Sequence, residues 1–235
     1  MNGKLTKGEA LTVVLTTTWI TVAVVSTAFL LTSVLSSLLI HYPRDLTSVS
    51  VMAINHDYHQ IQSYLLNPFA EHLVLSSLRI STHGLAHYQQ VKSLFIIVEV
   101  IAVLSSLMAF AEIMRIKKST KQLLNQLSAL RMTFFAIIMC LLLFLIDFNT
   151  HFIELHHWLF HNDWWVFKPA TDQTILLMPT SFFIQCCLLW LGLVVITWGI
   201  LDVVIRHLLF TAYFGFNKTN HCWDKRDNDN GKDDQ

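Results

Sequence analysis

The chain has 235 residues and balances 16 Lys and Arg against 16 Asp and Glu, which removes the basic surface a nucleic-acid partner would need. Hydrophobic residues make up 54% of it and charged residues 14%, against about 25% charged in soluble domains, so the composition excludes an ordinary soluble fold and points to a bilayer. Cys140, Cys186, Cys187 and Cys222 show no C-x-x-C spacing and three lie in apolar blocks, which indicates neither a disulfide framework nor a zinc finger.

A membrane-crossing helix needs about 20 mostly apolar residues. Four blocks qualify, at 10–40, 93–114, 132–150 and 181–201, the last extending toward residue 210, so the fold class expected is an all-α membrane protein with four transmembrane helices. The first block is too long for the apolar part of a signal peptide and lacks a small-x-small cleavage site. Between spans one and two, at 41–92, Asn55 is expected to cap a short helix through Tyr64 and Leu66 that ends near Pro68. Residues 72–80 read as a strand, 81–84 as a turn, and a helix from Leu85 runs into the second span. Residues 115–131 are basic and helical in character. The third span is expected to continue helically to about Phe160. Asn162 and Asp163 then turn the chain, and 164–167 pairs with 174–177 as a hairpin within the second loop, 151–180. Both loops are thus expected to build a small external part of short helices with a little β-structure. Gly192 and Gly199 in the fourth span suggest close helix packing. Residues 211–235 form a polar tail, disordered from 224 onward.

Of the 16 Lys and Arg, 12 fall in 1–9, in 115–131 or beyond the fourth span, and only Arg44, Arg79, Lys92 and Lys168 fall elsewhere. Positive loops stay cytoplasmic, so both termini and 115–131 are expected inside the cell membrane and the two long loops outside.

Histidine distribution is the main functional clue. Ten of 12 (His41, His56, His59, His72, His83, His87, His151, His156, His157 and His161) lie at or beyond the expected outer face. Imidazole serves two chemistries near neutral pH, proton exchange and metal ligation. The densest cluster is Glu154, His156, His157, His161 and Asp163. His157 and His161, four apart, share a helical face with Glu154 close by, but a histidine pair without a firm third ligand is a weak zinc signature. The same residues read more readily as interfacial polar groups beside an aromatic belt of Trp158, Trp164 and Trp165. Glu99, inside the second span, is a functional candidate or else a partner for Lys92, seven residues earlier. The chain has no Gly-rich phosphate loop, no G-x-S-x-G elbow and no H-E-x-x-H pair.

Three ordered segments carry a resemblance. Residues 81–95, STHGLAHYQQVKSLF, are similar to the segment that opens the second span in the lipoprotein intramolecular transacylases of low-GC Gram-positive bacteria. Residues 155–169, LHHWLFHNDWWVFKP, and 179–183, PTSFF, resemble that family's second and closing signatures. In the family pattern an acidic residue often stands where this chain has Gln90 and a Phe where it has His161, and His157 adjoins the matching His156. The resemblance implies an enzyme that moves the sn-2 acyl chain of a diacylglyceryl-cysteine lipoprotein to its own N-terminal α-amine. It implies His87 and His156 as the catalytic pair, with Tyr88, Lys92, His157, Asn162 and Asp163 as supporting groups and Trp158, Trp164 and Trp165 anchoring substrate at the interface. No cofactor, metal or nucleic acid is implied, and the partners are the lipoprotein substrate and membrane lipids, with the oligomeric state open. The competing readings are a non-catalytic membrane protein that binds or senses a transition metal through these histidines, and a purely structural subunit.

Overall fold

The computed structural model describes residues 6–42 and 49–230, with side chains described up to residue 214. Lys4, Arg44 and Lys232, and the last residues of the expected tail, lie outside that description.

Helix α1 (Lys7–Leu35) starts at a capping box in which Thr6 accepts from the Glu9 backbone N–H at 3.3 Å and Glu9 accepts from the Thr6 N–H at 2.9 Å. Its many hydroxyls are tolerated in an apolar helix because they bond back to the preceding turn. Ser26 donates to the Val22 carbonyl at 2.6 Å and Thr32 to that of Ala28 at 2.8 Å. A 3₁₀ turn, Ser36–Leu39, ends it. Helix α2 (Val51–Leu66) follows, with Ile54, Tyr58 and Ile61 at helical spacing on its buried face. It stops at Asn67, the residue before Pro68, as the proline ring requires. Then come α3 (Thr82–Ile116), α4 (Thr120–Ile146), α5 (Phe148–Leu159), the single turn α6 (Thr174–Leu177) and α7 (Thr180–Asn230).

Four of these are long and apolar enough to cross a membrane: α1 with its 3₁₀ turn, α3, α4, and α7 as far as Phe214. At 35 residues, α3 is about 52 Å long at 1.5 Å per residue, well beyond the roughly 30 Å of a hydrocarbon core. Its first turns therefore stand clear of the apolar stretch. α1 is the hub, packing on α3, α4 and α7. Ala23, Ala28 and Ala109 are buried in that seam among Ile20, Val24 and Val194, small residues that let the backbones close up. Trp190 of α7 donates its indole N–H to the Val25 carbonyl of α1 at 3.1 Å.

The bundle has two unlike ends. At one, the turn 117–119 joins α3 to α4 and carries basic side chains. At the other, the two long connections and the histidines form a cap over the helix ends. α2 lies across the end of α1: Gln62 donates to the Ser33 and Val34 carbonyls at 2.8 and 2.9 Å, and Tyr58 donates to Ser36 Oγ at 2.7 Å. Those carbonyls belong to the last turn of α1, where intrahelical N–H partners run out, and the Ser33 carbonyl takes a further bond from the Ser36 hydroxyl at 2.6 Å.

Several sequence expectations are corrected in this cap. No strand occurs among the described residues, so the expected β-structure is absent there. Residues 72–80 pair with no other strand; buried Asp57 instead accepts from the backbone N–H of Ser76, Ser77 and Leu78 at 3.0, 2.8 and 2.7 Å. Residues 174–177 form α6 and not a hairpin arm. Ser50, not Asn55, caps α2, accepting from Ala53 N–H at 3.2 Å, while Asn55 accepts from the Tyr42 hydroxyl. Residues 81–84 are the capped start of α3 and not a turn. The helix after the third span breaks at Asp147, whose φ of −128° and ψ of 65° leave the helical region. A Cβ added at Gly192 or Gly199 would meet nothing within 4 Å, so neither mediates close packing. The backbone of α7 runs helically to Asn230, into the stretch expected to be disordered, because each residue added to an existing helix gains a hydrogen bond without a new nucleus.

Candidate active site

Ser81 starts the site-bearing end of α3. Its Oγ accepts from Gly84 N–H at 3.0 Å, and one turn further along stands His87, buried at 8% exposure. The N-terminus of α3 is pinned from the other long connection by Asp172. That carboxylate accepts from Ser81 N–H at 2.8 Å and from the Thr171 hydroxyl at 2.7 Å. Gly84 makes the approach possible, since a Cβ there would lie 2.6 Å from Asp172 Oδ1 and 2.9 Å from Ile80 Cγ1. Burial pushes the Asp172 carboxyl upward, but the Ser81, Thr171 and Lys168 donors outweigh it and hold the group below the ordinary carboxylate range.

His156 comes from α5. Its ring centroid lies 6.1 Å from that of His87, and Phe160 packs beside both, 4.8 Å from His87 and 5.7 Å from His156. Phe152 at 4.2 Å and Trp165 at 4.9 Å complete the walls around His156, and Phe167 lies 5.6 Å from His87. His156 Nδ1 is 2.7 Å from the Phe152 carbonyl. A carbonyl only accepts, so Nδ1 carries the hydrogen and Nε2 is left with a lone pair facing other partners. Burial pushes the His156 pKa below its ordinary value; the Phe152 carbonyl opposes this and neighbouring His157 adds to it. The imidazole is therefore neutral at physiological pH and chemically a proton acceptor. His87 Nδ1 is buried without a hydrogen-bond partner among the described residues.

The structure distributes the other sequence candidates unevenly. His157 is exposed and meets Trp165 edge-on at 5.2 Å, so the residue beside His87 is His156. Tyr88 is buried under the pair, 6.3 Å from His87 and 5.8 Å from Phe167. Lys92 turns to the cap rather than to Glu99, donating to the Ala70 carbonyl and lying 4.5 Å over the Tyr64 ring. Asn162 accepts from Trp164 N–H at 3.0 Å and closes a turn, and Asp163 is exposed beside it. Glu154 lies 3.7 Å from His151. No three His, Cys, Asp or Glu side chains converge as metal ligands among the described residues. Trp158 and Trp164 are 76% and 38% exposed, whereas Trp165 is half-buried against the histidines. Sequence reasoning missed Phe152, Phe160, Asp172 and the Gly84 contact, and also the stacking of His83 on Trp164 at 5.9 Å. Gly84 inside the first motif was the one available signal of a close approach.

Fold and site together define a class: an integral membrane protein of four apolar helices that brings two imidazoles together in an aromatic pocket at one end. Residues 9–183 match the family described as lipoprotein intramolecular transacylase, Lit. The chain belongs to that family, and it is an acyltransferase that modifies lipoproteins. The solved membrane-integral Lit from Bacillus cereus is similar over 86% of this chain and 96% of its own, at 22% identity and a TM-score of 0.72. Two variants of that protein, with one histidine replaced by alanine or by arginine, give TM-scores of 0.73 and 0.68 at 22% identity, each over 88% of this chain and over 96% and 94% of their own. These likenesses show a shared fold. No curated protein matches the chain.

Proposed function

We propose that the chain moves the sn-2 acyl chain of a diacylglyceryl lipoprotein onto the α-amine of that lipoprotein's own N-terminal cysteine, at the extracellular face of the cell membrane. The observation that carries the reading is the His87 and His156 pair, with Nε2 of His156 free to accept a proton. The α-amine, with a reference pKa of about 7.7 to 8.0, suits an imidazole base. The amine nitrogen attacks the sn-2 ester carbonyl and gives its proton to His156 Nε2. An N–C bond forms, and the carbonyl oxygen of the tetrahedral intermediate takes a hydrogen bond from His87. Collapse breaks the bond between the acyl carbon and the sn-2 oxygen, which takes up the proton held by His156. The products are an amide and a free hydroxyl within one molecule, so no enzyme nucleophile is needed.

Trp158 and Trp164, both exposed, suit the headgroup boundary where the substrate cysteine would lie while its acyl chains stay in lipid. The Lys and Arg asymmetry supports an extracellular site. In intact cells, a cysteine introduced at Thr171 reacts with an impermeant thiol reagent and one at Ser119 does not; labelling at Ser119 alone inverts the proposal. The chemistry is tested with a diacylglyceryl lipopeptide labelled only on its sn-2 chain. The label moves to the cysteine nitrogen with purified protein and stays on glycerol with the His87→Gln or His156→Gln chain. Equal turnover in all three removes the two-histidine mechanism.

A further inference from the structure

We infer that Trp165 is a third catalytic residue, its indole N–H a hydrogen-bond donor to the oxyanion of the tetrahedral intermediate; this rests on the acyl-transfer reading above. The sequence alone groups Trp165 with Trp158 and Trp164 as interfacial anchors, but the structure separates it from them. After the turn closed by Asn162, the backbone N–H groups of Val166 and Phe167 bond to the Asp163 and Trp165 carbonyls at 3.1 and 3.0 Å. The side chains then divide: Trp164 and Val166 face out, while Trp165 and Phe167 turn onto the histidine pair. Trp165 lies 4.9 Å from His156 and, edge-on, 5.2 Å from His157. Its Nε1 is buried, and no described group accepts its hydrogen bond.

An indole N–H can only donate, and native proteins rarely leave a buried donor unpaired, least of all where two imidazoles already meet. The groups that pass through this pocket during the reaction are the ester carbonyl and the oxyanion it becomes, both acceptors. A fixed donor in an apolar cage acts most strongly on the one that gains charge. His87 Nδ1 is likewise buried without a partner, so the side chains gathered around His156 carry two nitrogens whose hydrogen-bonding capacity is unused among the described residues. Among the described residues the remaining buried indole without a partner, Trp198, packs in the bundle core against Phe134 and has no reacting group near it. It provides the control.

The test uses purified full-length protein in detergent and the sn-2-labelled lipopeptide. Trp165→Phe keeps an aromatic ring and removes the N–H, and it lowers kcat about a hundredfold with KM changed less than about twofold, as the loss of one oxyanion donor does. Trp198→Phe leaves both constants within about twofold. Because a smaller ring also leaves space, a second chain carries benzothienylalanine at position 165, a bicycle with sulfur in place of N–H; it shows the same loss in kcat. Unchanged kcat in either Trp165 chain, or a loss confined to KM, overturns the inference while the histidine mechanism stands. A wild-type chain that leaves the label on glycerol overturns the acyl-transfer reading and this inference with it.

Discussion

At the basic end of the bundle, Lys121 meets Glu9 at 2.8 Å and Asp202 is paired with Arg131 at 2.8 Å and Arg206, all partly exposed. At the histidine end, Asp57 and Asp172 are 0% and 4% exposed and accept chiefly from backbone N–H groups and hydroxyls. Exposed pairs of the first kind contribute about 0–1 kcal/mol and tolerate replacement. A buried carboxylate tied to backbone does something else: it fixes where a loop runs. The end that joins helices needs only the former, while the end that must hold two imidazoles and an aromatic wall in register from three separate segments uses the latter. Asp57 places residues 76–78, Asp172 joins the start of α3 to the second connection, and His87 follows within two turns.

The contrast is broken most sharply at the pair itself. His156→Gln lowers turnover at least about a hundredfold, within the range a positioned base contributes, while His157→Gln, one residue away but exposed, costs far less; the reverse order in a steady-state assay would move the assignment to His157. Next comes Asp57→Ala, which leaves three backbone N–H groups and the Ser76 hydroxyl without their acceptor. At about 1–3 kcal/mol for each unsatisfied group, offset in part by water, the loss is about 3 kcal/mol. It is read as a lower thermal midpoint with new protease cleavage between residues 67 and 80, and an unchanged midpoint would show that Asp57 does not set the loop. A Cβ at Gly84 collides with Asp172 and Ile80, so Gly84→Ala destabilises by about 1–3 kcal/mol and reduces turnover, whereas Gly192→Ala and Gly199→Ala meet no neighbour and are stable. Equal midpoints for all three would remove the close approach.

The smallest effect is on pH dependence. Burial lowers the pKa of His156, so as pH falls the substrate amine protonates first, near its reference value of about 8, and the imidazole only below about 6.5. The plot of log kcat/KM against pH falls with a slope of one as the amine protonates and steepens only at a pH below the ordinary imidazole value of about 6.5; a second inflection at or above that value contradicts a buried neutral base. Asp57 and Asp172, both lowered in the folded chain, contribute stability that is fully present above the unfolded value of about 3.9 and is lost as pH falls through their folded values. The cap therefore stays intact across the whole activity profile.

The spans were legible because length and hydropathy decide them locally. The gathering of histidines at one end was legible because it follows from where the loops fall. The cap was not. Residues 72–80 carry the alternation of a strand, yet their N–H groups bond to Asp57, about 20 residues away, and to Gln173, which accepts from Arg79 N–H at 2.9 Å. No local pattern announces a carboxylate or an amide acting as the missing strand. Ser50 and Asn55 are both cap-forming residue types, and only the folded chain shows that Ser50 takes the Ala53 N–H. Glycine often marks a turn, whereas Gly84 is helical and kept small by a side chain 88 positions further on. His87 and His156 could be named from motifs, but their 6.1 Å separation and the tautomer set by Phe152 exist only in the folded chain.

The central claim is that one substrate molecule supplies both the acyl group and the amine. The most direct measurement incubates the purified protein with two lipopeptides together, one with a heavy sn-2 chain on a light peptide and one with a light chain on a heavy peptide, in phospholipid whose acyl chains carry a third label. Mass spectrometry of the N-acylated products should show heavy chain only on light peptide and light chain only on heavy peptide, with none of the phospholipid label. Mixed products, or the phospholipid label on either peptide, would show that the acyl group comes from a second molecule and would contradict the intramolecular mechanism.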